Sequence, residues 1–308
     1  MCALGLVLLG TTAAAEPAER SFAAVARAIA PAVVRLDVAG NGREITASGV
    51  VLDTRGNVLT TGRSFDGAGT GASVQVTLTD GRRLPAEMVG MDPATDVAVV
   101  RLMTPPNDLS AARFGDSDDA TVGDWVLSVG RAPGTEQSFA AGIISARSPG
   151  DLLLTDAQVR VGDAGGALVD LEGQVVGLTT LIGDGAGGGH GQALPINRVR
   201  RVAQAIVMEG HASHPFIGVA LRERGAEGAV VTRVGRDTPA ARAGLRPGDV
   251  ITAVGGLDAP APAELVTLIE RQPIGARVAV AFTRGGHDHR VIVSVEDINL
   301  MSGAALGL

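Results

Sequence analysis

Val161–Thr180 reads VGDAGGALVDLEGQVVGLTT, and its two halves say different things. The second half holds two short apolar, β-branched runs parted by a glycine-containing turn, the pattern of paired strands. The first half is a corner: Gly162, Asp163, Ala164 and the pair Gly165-Gly166. Glycines this dense serve where backbone must come close to something or adopt φ > 0. In a hydrolase such a corner presents a nucleophile and aims N–H groups at a developing oxyanion. Position 164 is the place for that nucleophile, and it holds Ala164, a methyl group.

Working outward, strands dominate. Upstream, VVRLDV, ASGVVLD, NVLTT, SVQVTLT, RLPAEMVGMD, DVAVVRL, DWVLSVG, AAGIISA and DLLLTD are short, β-branched and divided by turns. GQALPI follows downstream. About a dozen strands without long helices between them predict an all-β barrel or double barrel. A helix in SFAAVARAIA precedes them, with Phe22, Val25 and Ile29 at helical spacing and Pro31 as its stop. A second helix, NRVRRVAQAIVMEG, places Val199, Val202 and Ile206 on one face with Asn197 as its cap, and closes a first domain over 20–208. The linker 209–214 reads EGHASH. A compact second domain over 215–297 mixes strands with the helices TPAAR and PAELVTLIERQ, and 298–308 forms a loose tail.

Composition narrows the function classes. There are 43 glycines and 15 prolines with no fixed period, aromatics are 2%, and Tyr is absent. Collagen and simple disorder are excluded, and the cores must be built from Val, Leu, Ile and Ala. The net charge is -7 with no basic block, which argues against nucleic acid as a partner. The run Ala3–Leu9 followed by Ala13-Ala14-Ala15 reads as a signal peptide over 1–15 that lacks a basic n-region, and it is too short for a transmembrane anchor. The expected location is the periplasm or the secreted space. Cys2, the single cysteine, leaves with that segment, so no disulfide or cysteine metal site is expected. His190, His211, His214, His287 and His289 lack further ligands at recognisable spacing; no metal and no cofactor is expected.

Several segments together resemble the HtrA/Deg family, a trypsin-like double β-barrel protease domain followed by a PDZ domain. ASGVVLDTRGNVLT, GMDPATDVAVVRL, SVGRAPG, AAGIISA, TDAQVRVGDAGGALVDLEGQVVG and GQALPINRV match family segments in the same order. The resemblance implies a mostly β fold: a trypsin-like double six-stranded barrel, then a PDZ-like α+β domain. It places the family's catalytic Asp at Asp96, its His at Arg63 and its nucleophilic Ser at Ala164, with Gly162 and Asp163 in the oxyanion loop. A methyl group forms no acyl intermediate, and a guanidinium does not serve as a general base. Ser64 adjoins Arg63, but an active serine needs a base within hydrogen-bond reach, and no histidine precedes His190.

In the second domain, Ile217-Gly218-Val219 is similar to the PDZ loop that offers N–H groups to a terminal carboxylate, with Phe216 at its mouth and Leu265, Leu268 and Ile269 on the facing helix. The expectation is therefore an exported pseudoprotease, not an enzyme, acting as a peptide-binding scaffold or chaperone-like factor. Its partners would be unfolded or C-terminal peptides and envelope proteins, and the resemblance implies a possible homotrimer. Two alternatives stand beside it: an HtrA/Deg serine endopeptidase with weak or unusual activity, and a metal-binding structural protein.

Overall fold

The structure, a computed structural model, describes residues 21–69, 71–131, 137–148, 152–181, 191–223, 229–259 and 261–300. The signal-peptide segment, the loop with His190, and residues 301–308 lie outside the described residues.

Helix α1 (Phe22–Ile29) starts at Ser21, whose hydroxyl accepts the Ala24 N–H at 3.2 Å. Its buried residues, Val25 and Ile29, are one turn apart, and Pro31 sits in the 3-10 turn that ends it. Six strands then close a first barrel: β1 (Val33–Gly40), β2 (Arg43–Val51), β3 (Asn57–Thr61), β4 (Ser73–Thr77), β5 (Arg83–Asp92) and β6 (Val97–Leu102), in the order β1-β2-β3-β6-β5-β4. Six more close a second: β7 (Trp125–Gly130), β8 (Ser138–Arg147), β9 (Leu153–Thr155), β10 (Ala167–Val169), β11 (Val175–Thr180) and β12 (Gly191–Pro195), in the order β10-β11-β12-β9-β8-β7. Closure removes the unpaired edges that a dozen short apolar strands would otherwise expose. The double six-stranded barrel is the fold expected from the sequence.

Helix α2 (Ile196–Glu209) follows β12 directly. Asn197 is not its cap but lies inside the first turn. Its N–H is taken by the Ser117 hydroxyl at 3.2 Å and its amide reaches Asp116 at 2.6 Å. The capping group comes from 80 residues away, so no local pattern could announce it.

The α+β region follows: β13 (Pro215–Phe216), β14 (Val219–Glu223), β15 (Ala229–Val234), α3 (Pro239–Arg242), β16 (Val250–Val254), β17 (Leu257–Asp258), α4 (Pro262–Glu270), β18 (Arg277–Arg284), β19 (His287–Ser294) and β20 (Glu296–Asp297). The main sheet runs β14-β15-β16-β18-β19 with β17 on β16, and β13 pairs with β20. Strand β14 is therefore an edge. Among the described residues, no helix is long and apolar enough to cross a membrane. Two compact units result, one of residues up to Glu87 with Val100–Arg200, the other of Met88–Val99 with Arg201 onward.

Within the second unit, three segments meet on one carboxylate. Asp92 is fully buried and accepts from His214 Nε2 at 2.6 Å, Asn299 Nδ2 at 2.9 Å and the Thr95 hydroxyl. The His214 N–H in turn donates to Asp297 at 3.1 Å. Burial pushes the Asp92 carboxyl up, but the hydrogen bonds from His214, Thr95 and Asn299 and the charge of His214 outweigh it and hold it below the usual carboxylate range. A depressed carboxyl contributes stability in full above the ordinary Asp value, near about pH 4, and loses it as pH falls through the folded value. His214→Ala, which strips a buried charge of its partner, is expected to cost about 3 kcal/mol at neutral pH. Urea unfolding from pH 7 down to acid checks both: the gap between wild type and Asp92→Asn should close as pH falls.

Candidate functional site

The corner around Ala164 is anchored by its carbonyls. The Gly162 oxygen accepts from the Ser48 hydroxyl at 2.8 Å, the Asp163 oxygen from the Thr179 hydroxyl at 2.6 Å, and the Ala164 oxygen from the Ser48 N–H at 2.9 Å. A planar trans peptide sets N–H opposite C=O. With the Asp163 carbonyl held by buried Thr179, the Ala164 N–H lies on the side of the peptide opposite that bond. Ala164 itself is half-buried.

Gly165 has φ +85°, and a Cβ there would lie 2.3 Å from the Ser48 carbonyl oxygen and 2.5 Å from Thr60 Oγ1. Both partners are immobile, so Gly165→Ala is expected to cost about 2–3 kcal/mol, measured as a fall in the denaturant midpoint.

The neighbours of Ala164 differ in their engagement. Asp163 is buried, and its carboxylate accepts the Arg160 N–H at 3.0 Å and the Ser138 hydroxyl. It is turned toward Gly130, where an added Cβ would meet Asp163 Oδ1 at 2.4 Å. Ser138 carried no signal in sequence. A shallow cleft lined by Ser128, Ser138, Phe139, Gln158, Arg160 and Asp163 opens beside the corner. Arg63 is exposed in the 3-10 turn Gly62–Phe65. Ser64 in the same turn is buried, its hydroxyl shared with Thr61 at 3.0 Å and Thr60 at 3.4 Å, with no imidazole or carboxylate among these partners. Asp96 is buried just before β6 with φ +59°, a left-handed conformation that Asp tolerates better than most residues.

In the second domain the predicted peptide residues divide. Ile217, Leu265 and Ile269 are 3%, 1% and 4% exposed and fill the core. Val219 and Leu268 are only partly buried against that core, as is Leu221, which sequence reasoning passed over. Phe216 is paired with Glu296 in the β13–β20 ladder. Gly218 has φ +91°, and its carbonyl accepts the Gly235 N–H at 3.0 Å. The Val219 N–H on the same peptide therefore faces the other way. Helix α4 packs against β14, and β14 keeps one free edge.

The remaining histidines sit apart. His211 Nδ1 lies 3.1 Å from the Glu209 carbonyl, and exposed His289 stacks on Phe282 at 5.3 Å. Among the described residues no group of three or more His, Cys, Asp or Glu could hold a metal ion.

Comparison with known proteins agrees with this architecture. Residues 47–178 match the trypsin-like peptidase domain and residues 215–295 the PDZ domain. The DegP-like "probable periplasmic serine endoprotease" of Chlamydia trachomatis is 32% identical over 85% of this chain, and the periplasmic serine endoprotease DegP of Escherichia coli 32% over 81%. The chain spans 56% of the length of each of these relatives. The solved structure of the HtrA-type protease AlgW with tripeptide superposes with a TM-score of 0.79 at 32% identity, covering 90% of this chain and 97% of that one.

These relatives correct one expectation. Arg63 and Ala164 led to a reading of the chain as no enzyme; extended likeness to serine endoproteases and HtrA-type proteases argues against that. The physical reason is that a protease frame does more than hold a triad. Substrate positioning and oxyanion donors sustain roughly 10³–10⁴-fold catalysis over water in variants that lack a triad member.

Proposed function

Since this chain belongs to the HtrA-type protease family, we propose that it is a periplasmic or secreted peptide-binding protein with weak, unconventional endopeptidase activity. The second domain, over 215–297, captures C-terminal peptides as a strand added to β14. The first, over 20–208, works on the held chain. Positions 63, 96 and 164 are the family's His, Asp and Ser positions, so turnover does not pass through an acyl group on residue 164. Catalysis rests on backbone donors of the 162–166 corner and on positioning. The observation that carries the reading is the free edge of β14 beside α4, opened by the positive-φ Gly218 loop.

Val219, Leu221 and Leu268 form the apolar lining that a terminal side chain meets, while Ile217, Leu265 and Ile269 hold that lining from beneath. The test is calorimetric titration of the full chain with apolar-ended peptides, run beside a turnover assay on unfolded casein. Saturable binding with slow turnover supports the reading; absence of binding at millimolar peptide overturns it.

A further inference from the structure

Asp92 ends β5, and its two carboxylate oxygens are divided between near and distant partners. Oδ1 accepts the Ala94 N–H at 3.3 Å and Asn299 Nδ2 at 2.9 Å. Oδ2 accepts the Thr95 hydroxyl and, at 2.6 Å, His214 Nε2. Each oxygen therefore takes one bond from its own turn and one from an end of the second domain. The two local bonds cap the 92–96 turn, whose last residue is Asp96 at φ +59°. The two distant bonds come from the linker, 122 residues on, and from the 3-10 turn Ile298–Leu300, 207 residues on. Those ends are also tied to each other: Asn299 Nδ2 donates to the Ala212 carbonyl at 3.0 Å, and the Ile298 N–H to the His214 carbonyl at 3.0 Å. All of these residues belong to one compact unit.

We propose that this carboxylate is the centre of a proton-operated latch: protonated His214 fastens the linker and the 298–300 turn onto Asp92 and so holds the turn that presents Asp96, and loss of the imidazole proton loosens all three segments together. Because one carboxylate serves both pairs of bonds, whatever weakens one pair weakens the hold on the other.

The chemistry of the pair puts the switch on His214. Its side chain is 27% exposed while that of Asp92 is 0% exposed, so solvent protons reach the imidazole. Burial pushes the Asp92 carboxyl up, but the bonds from His214, Thr95 and Asn299 outweigh it and keep the carboxyl ionised across the range where an imidazole titrates. A neutral imidazole still donates, but a charge-assisted bond to a buried carboxylate becomes an ordinary one. The other charged group meeting His214 is Asp297 on β20, which is buried and accepts the His214 and Asn299 N–H groups at 3.1 Å each. Next to it, Glu296 is paired with Arg242 of α3. On the linker itself, His211 Nδ1 lies at the Glu209 carbonyl, away from this carboxylate. Both Asp92 and Asp297 lose an attractive charge when the His214 imidazole gives up its proton.

The latch stands apart from peptide capture and from turnover, and its test needs neither. Hydrogen exchange of the full chain is followed by mass spectrometry at about pH 6 and about pH 9, on either side of an ordinary imidazole titration, with rates corrected for the intrinsic pH dependence of amide exchange. Protection of residues 92–97, 209–216 and 295–300 is expected to fall together by about fivefold to tenfold at the higher pH, while β1 and β11 keep theirs. His214→Gln, which can donate but cannot carry the charge, should show the looser values at both pH values, and His211→Gln should keep the wild-type response. Thr95→Val removes a bond within the turn alone, yet should loosen the linker and the 298–300 turn as well; with the wild-type response it decides the matter if His214→Gln does not fold. Protection independent of pH in the wild type overturns the proposal, as does a pH response that survives His214→Gln. So does loosening of the linker in His214→Gln while residues 92–97 stay protected.

Discussion

Ala164→Ser combined with Arg63→His is expected to raise turnover of an unfolded protein by about 10³-fold or more over the starting chain, with either change alone giving little. The expectation follows from how the two groups act. A hydroxyl without a base stays protonated and is a poor nucleophile; an imidazole without a hydroxyl has nothing to activate. Their effects are therefore strongly non-additive. The corner itself is held in one conformation: its three successive carbonyls are tied down by Ser48 and Thr179. A serine-reactive phosphonate should label position 164 in the double variant. Adding Asp163→Asn should change the rate by less than about threefold, because the carboxylate is turned toward Ser138 and the Arg160 N–H. Turnover in the double variant no faster than in the single ones would overturn the assignment of Arg63 and Ala164 to these positions. A tenfold gain from the third change would show that Asp163 acts on the oxyanion at a distance.

Much of this was legible in sequence because barrels of short strands advertise themselves. The β-branched runs and glycine turns sufficed for twelve strands, and ordered segments from Ala47 to Val199 carried the family resemblance. The misses have a common physical origin. The N-terminal cap of α2 comes from Ser117, far away in the chain. The anchor that turns Asp163 inward is Ser138, 25 residues earlier. Neither has a local pattern. On α4, spacing showed that Leu265 and Ile269 share a face but not that this face is the core, with Leu268 only partly buried against it. Periodicity reports which residues go together, and packing decides which side they take. Activity was harder still: two replaced residues pointed one way, while the likeness over most of the chain to endoproteases points the other.

Peptide capture should depend sharply on the terminal carboxylate. Converting the best-binding apolar-ended peptide to its amide is expected to weaken binding to the full chain at least tenfold, since charge-assisted hydrogen bonds to N–H donors are lost. On the proposed reading the donors belong to the Ile217–Val219 loop, where the Gly218 carbonyl accepts the Gly235 N–H and the Val219 N–H on the same peptide faces the other way. Backbone donors read charge and position, not side-chain identity, so the proposed selectivity for an aliphatic last residue falls to Val219, Leu221 and Leu268, which are only partly buried against the core. Leu268→Ala should reduce affinity about threefold to tenfold while leaving the acid-to-amide ratio intact, because it removes pocket wall and not the nest. Gly218→Val is a harsher change: a Cβ there would lie 2.2 Å from Thr238 Cβ at φ +91°. It should disturb the loop and abolish the acid preference together with the binding. Affinity in the micromolar range, about -8 kcal/mol at 1 μM, is what a shallow strand-addition groove supports. Calorimetric titration with acid and amide forms checks each point. Equal affinity for the two forms would remove the loop from carboxylate recognition and leave the groove as a purely apolar contact.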